Sequence, residues 1–168
     1  MTGWGANQPQ PKTFLVLGDG RHGKDTAGRM LAEITGRPYA SSSEFCAQKA
    51  VFPLVSDLYP NWRACYGDRV NHRKLWFHAI AAYNQRPGPS LAEEVLVDHG
   101  AYIGMRNRAE FTASRHLFDL VLWVDRSEHV PRESRASMEL GPGDADIILD
   151  NNKDLDHLEA QVRAMLQV

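Results

Sequence analysis

Short apolar runs alternate along this chain with segments in which apolar side chains recur every three or four residues, and the alternation predicts a layered α/β domain. Phe14–Leu17 is apolar throughout, so a strand over 13–17 is expected, buried on both faces of a parallel sheet. Next, Ala27, Met30, Leu31 and Ile34 share one stripe of a helix that stops at Gly36. A short strand is expected over 37–40. A longer helix over 69–84 places Arg69, His72, Arg73, Trp76, Ala79, Ile80 and Tyr83 on one face, basic at first and apolar afterwards. Residues 90–98 read as a helix, 101–104 as a third strand, 120–124 as the longest apolar strand and 147–149 as the fifth. Leu155, Leu158, Val162, Met165 and Leu166 close the chain with an amphipathic helix.

Strands alternating with helices imply right-handed crossovers and a five-stranded parallel sheet flanked by helices, a three-layer arrangement. Residues 1–12, polar and glycine-rich around Trp4, read as a loose tail before a single domain over 13–168. The polar stretch 126–143 reads as a loop long enough to act as a lid.

Between the first strand and the first helix lies Gly18-Asp19-Gly20-Arg21-His22-Gly23-Lys24-Asp25-Thr26. Glycines at 18, 20 and 23 permit positive φ, so successive N–H groups can face one concavity at a helix N-terminus, which suits phosphate. Lys24 adds a cation placed for the terminal phosphates. The spacing is that of a P-loop, except that Asp25 stands where serine or threonine belongs. Binding of ATP with Mg²⁺ is therefore expected, with Asp25 or Thr26 helping to hold the metal. His22, at the crest, reads as polar filler.

Other candidates lie at the carboxyl ends of strands, where ligands bind in doubly wound sheets. Ser41-Ser42-Ser43-Glu44 is either a helix capping box or a turn that presents Glu44 to an acceptor. Asn107 and Glu110 also have capping-box spacing, which leaves Arg106 in the preceding turn, with Arg108 close by, for phosphate or base contact. Asp125, ending the longest strand, is either a magnesium contact or a loop cap. Arg126, Arg132 and Arg135 are either lid arginines or surface charge. The basic half of the 69–84 stripe either leans over an anion or emerges at the domain's edge. The turn 150–152 could border adenine.

Composition narrows the classes. At 168 residues, 43% apolar and net charge −2, the chain is neither disordered nor a strongly basic nucleic-acid binder, so a nucleic-acid substrate would need local positive patches. Two cysteines, Cys46 and Cys65, make neither a disulfide framework nor a zinc site. With no membrane-length apolar run and no signal-peptide layout, the expectation is a soluble cytoplasmic protein that does not bind membranes.

The chain resembles the P-loop kinases of the nucleoside-monophosphate and thymidylate kinase group in length and strand count, and in an arginine at position 21. Its GKD ending, Gly104-Met105-Arg106 and Asp146-Ile147-Ile148-Leu149-Asp150-Asn151 are similar to small bacteriophage deoxynucleotide kinases. Among these it resembles kinases that phosphorylate 5-hydroxymethyluracil already in DNA, a step towards hypermodified thymine that protects viral DNA. The resemblance implies a P-loop NTPase fold in a host-cell cytoplasm, with 18–26 on the ATP phosphates and Arg106 towards the acceptor. The acceptor is then DNA carrying a modified pyrimidine or a free deoxynucleoside monophosphate. On this reading Lys24, Arg21 and Arg106 neutralise charge, and Arg69, Arg73, Arg108 and Arg132 meet the substrate. A hydroxymethyl acceptor would call for a base, for which Asp19 and Glu44 are the candidates. A nucleotide-dependent switch is the remaining alternative, although Asn-Lys-x-Asp and a convincing D-x-x-G are missing.

Overall fold

A computed structural model describes residues 9–168, so most of the expected tail, Trp4 included, lies outside the described residues. The end of that tail is anchored: Lys12 and Thr13 donate their backbone N–H groups to the Asp119 carboxylate at 2.6 and 3.0 Å.

Five parallel strands, β1 (Phe14–Leu17), β2 (Tyr39–Ser41), β3 (Ala101–Ile103), β4 (Leu120–Asp125) and β5 (Ile147–Asp150), form one sheet in the order β2-β3-β1-β4-β5. Alternation along these strands divides the core into two layers. Phe14, Val16, Ile103, Leu122 and Val124 face α1 (Lys24–Thr35) and α7 (Leu155–Leu166). Leu15, Leu17, Tyr102, Val121 and Trp123 face the other way. That side is covered by α2 (Ser42–Cys46), α3 (Trp62–Gly67), α4 (Arg73–Gln85), α5 (Leu91–Asp98) and α6 (Arg108–Ser114). Each Leu or Val sealed in these layers contributes roughly 1.5–3 kcal/mol of transfer free energy. The three-layer α/β fold is the one the apolar pattern predicts. Among the described residues no helix is long and apolar enough to cross a membrane.

Local departures have local causes. The expected helix over 69–84 is broken, because Asp68–Asn71 forms a 3₁₀ turn and α4 begins only at Arg73. The Asp68 carboxylate gathers Tyr59 Oη, Asn71 Nδ2 and His72 Nε2, which tightens the chain ahead of α4. At Ser41–Glu44 no capping box forms: Ser41 Oγ meets Ser43 Oγ at 3.1 Å and does not cap the helix. A complete box forms instead at Ser90 and Glu93, starting α5. Asn107 Oδ1 does accept from the Glu110 N–H at 3.0 Å, but the Glu110 side chain turns inward to accept from Tyr102 Oη at 3.1 Å. The strands over 37–40 and 101–104 shift to Tyr39–Ser41 and Ala101–Ile103.

Candidate active site

β1 ends at Leu17, the chain turns through 18–23, and α1 starts at Lys24. Gly23 has φ +97, and a Cβ there would run into Asn151 Nδ2. Gly20, contrary to expectation, does not take positive φ; Arg21 does, at φ 64. The His22 N–H reaches back to the Asp19 carbonyl at 3.3 Å, so Arg21 holds the third position of a tight turn, where positive φ belongs. The Arg21 residue itself is exposed.

Lys24 folds back over the loop and donates from Nζ to the Asp19 carbonyl oxygen at 2.7 Å. Burial and then the nearby Arg106 guanidinium lower its pKa to about 8, against the opposing pull of Asp25, Glu133 and Asp19. β3 passes beside it: a Cβ at Gly104, φ +87, would lie 4.0 Å from Lys24 Cε and 3.2 Å from Ser42 Oγ.

The loop is braced from behind. His22 is fully buried, and its Nδ1 accepts from the Arg126 N–H at 3.0 Å. Those partners set the tautomer, with the proton on Nε2 donated to the Val130 carbonyl at 3.0 Å. Asn151 Nδ2 donates to the His22 carbonyl at 2.9 Å. His22 is thus a pin between the glycine-rich loop and the 126–143 loop, more than filler, and Asn151 is buried against the former.

A residue the sequence did not single out stands at the front. Glu133, in the loop over 126–143, accepts from the Gly20 N–H at 2.9 Å and from Arg106 at 2.6 Å, and Arg73 lies 3.8 Å from its other oxygen. Burial pushes its carboxyl up, but the bond and charge of Arg106 outweigh that and hold it below the ordinary glutamate value. The Glu133 N–H in turn meets Asp19 Oδ1 at 3.2 Å. The signal was absent because nothing periodic links positions 20 and 133.

The remaining candidates divide. Arg106 and Arg73 meet over the loop through Glu133, and Arg132 lies 3.5 Å from Asp125. Arg108 forms a bidentate pair with Asp144 and donates to the Glu139 carbonyl, which ties the end of the 126–143 loop to α6. Arg69 lies over the Tyr66 ring, 3.9 Å from its centroid, and donates to the Tyr66 carbonyl; with His72 held by Asp68, neither continues the α4 face. Glu44 is exposed and lines a cavity of about 280 Å³ along the β2 edge with Tyr39, Phe45, Gln48 and His99. Asp25 and Thr26 sit in the first turn of α1. Asp125 faces the back of the loop, engaged by Ser127 Oγ at 3.1 Å and Arg132, 4.0 Å from His22 Nδ1.

No protein-family model matches the sequence, and no curated protein matches it. Solved structures do. A gluconokinase from Sinorhizobium meliloti is 13% identical with a TM-score of 0.51, covering 95% of this chain and 92% of its own. A sugar kinase from Janibacter sp. is 18% identical with a TM-score of 0.51, covering 95% and 96%. Shikimate kinase from Aquifex aeolicus is 13% identical, again with a TM-score of 0.51, covering 92% and 96%. The chain has the fold of the P-loop kinases.

Proposed function

We propose that this chain is an ATP- and Mg²⁺-dependent phosphotransferase acting on a pyrimidine deoxynucleotide, its acceptor group the hydroxymethyl of 5-hydroxymethyldeoxyuridine within DNA. One observation carries the phosphotransferase reading: the Gly20 N–H and the Arg106 guanidinium both donate to one carboxylate oxygen ahead of α1, with Lys24 near enough to feel both charges. Phosphoryl transfer asks the protein chiefly for alignment and neutralised charge, which such a set supplies. Asp25 and Thr26 fit a magnesium ion that takes most of its ligands from water and phosphate, and bound there it would neutralise phosphate charge.

The acceptor reading rests on the resemblance of the loop, of 104–106 and of 146–151 to the phage kinases. Support comes from Arg73, whose side chain is 69% exposed at the start of α4 while reaching over the loop, a position open to a polyanion. Asp19, buried beside the loop with its Oδ1 3.2 Å from the Glu133 N–H, is the carboxylate we assign to take the hydroxyl proton once Glu133 moves aside. A free deoxynucleoside monophosphate is the second reading, in which Arg106 meets the acceptor's own phosphate and no base is needed.

Labelled ATP offered with 5-hydroxymethyluracil duplex DNA, beside each deoxynucleoside monophosphate, separates the readings. Label in DNA alone supports the first, and label in monophosphates alone selects the second. ATP binding with no transfer to either leaves a nucleotide-dependent switch. In the DNA reading Arg73→Ala weakens DNA binding and flattens its salt dependence by about one contact; an unchanged slope counts against it.

A further inference from the structure

Glu133 stands 113 positions along the chain from Gly20, yet its carboxylate rests on the loop's donors. A carboxylate only accepts hydrogen bonds, and a glycine-rich turn at the head of a 12-residue helix is a ready anion seat. Its Oε2 takes both the Gly20 N–H and the Arg106 guanidinium, and Arg73 lies 3.8 Å from Oε1. A Cβ on Gly20 would lie 3.5 Å from Glu133 Cδ, so the carboxyl group lies in van der Waals contact with the loop. The surrounding segment is fastened in the same pose: the Glu133 N–H meets Asp19, and Arg106 also donates to the Ser137 carbonyl at 3.2 Å.

We propose that Glu133 is an internal surrogate for phosphate, seated in the loop's oxyanion site until the nucleotide's phosphate displaces it and releases Arg106 for the transferred group. This rests on the nucleotide reading above. One N–H and one guanidinium cannot serve the carboxylate and a phosphate in the same place, so the two anions exclude each other. Occupancy by Glu133 lowers the apparent affinity for ATP by the fraction of molecules with the seat free. Displacement moves the lid segment that carries Arg132 and Arg135.

Calorimetric titration of ATP with Mg²⁺ into wild type, Glu133→Ala and Glu133→Gln tests it. The alanine variant is expected to bind at least about tenfold more tightly. The glutamine variant, which keeps the shape and loses the attraction to Arg106, should fall between. Glu128→Ala removes an equal charge from the same loop away from Gly20 and should change affinity by less than about twofold. In limited trypsin digestion, ATP should speed cleavage at Arg132 and Arg135 of wild type, while Glu133→Ala is cut fast with or without nucleotide. Equal ATP affinity in wild type and Glu133→Ala, or an equal gain in Glu128→Ala, overturns the surrogate alone. Failure of every form to bind ATP overturns the nucleotide reading and this one with it.

Discussion

Asn151 donates from Nδ2 to the carbonyl oxygen of His22 at 2.9 Å, so the strand that ends the sheet holds the crest of the loop that begins the site. The residue is buried, and its amide group occupies the space a Cβ on Gly23 would need. Asn151→Ala should leave that carbonyl without its donor and destabilise the fold by about 1–3 kcal/mol, read as a lower urea midpoint. ATP binding should weaken as well, because the turn loses its brace. Asn151→Asp sets an acceptor against an acceptor and should cost more than alanine.

Lys24 gives the site a pH dependence. Its amine loses the proton near pH 8 in the free protein, whereas phosphate favours the charged form and raises that value in the complex. If the loop holds ATP as proposed, affinity should be full below about 8 and fall as pH rises through it, by at most about tenfold per pH unit for one proton. Titrations from pH 6.5 to 9.5 should show this bend, and Lys24→Arg should remove it.

Glu110 gives a second pH dependence, on stability. Burial raises its carboxyl above the ordinary 4.5, only partly offset by the hydrogen bonds from Tyr102 and Asn84. Between 4.5 and that raised value the native state holds the proton more often than the unfolded chain, so stability declines as pH climbs across the interval. Glu110→Gln should flatten that decline in urea melts between pH 4.5 and 7.5. A variant curve parallel to wild type would remove Glu110 as its source.

Gly28 lies where α1 crosses the sheet, and a Cβ there would sit 2.6 Å from Ile103 Cδ1 and 3.1 Å from Tyr39 Cδ2. Alanine gains roughly 1 kcal/mol of helix propensity. Crowding costs about 1–3 kcal/mol, since Ile103 is itself packed between α1 and the sheet. Gly28→Ala should therefore lower the urea midpoint in spite of the better helix former.

What could be read from the chain was whatever neighbouring residues encode. The spacing from Gly18 to Lys24 and the apolar runs at Phe14–Leu17 and Leu120–Val124 give the loop and sheet directly. The helix expected over 69–84 forms only from Arg73, because its first turn is held in a 3₁₀ conformation by the carboxylate of Asp68, just ahead of it, whose side-chain bonds carry no period. Arg108 and Asp144, Glu133 and Gly20, and Asn151 and His22 are pairs made by the fold, between positions with nothing in common along the sequence. For that reason the cations of the site were legible as residue types, but the anion they hold was not.

The central place of β1 bears on how the molecule is made. Its two neighbours, through Phe14 to Ala101 and Phe14 to Leu120, both come from the second half of the chain, and its brace comes later still, at Asn151. Helices such as α1 can nucleate early, but a sheet built from such distant pairings assembles slowly. A nascent polypeptide still lacking β5 has the loop's residues without the Asn151 amide behind them, so the crest of the loop gains its last brace only when the edge strand is in place.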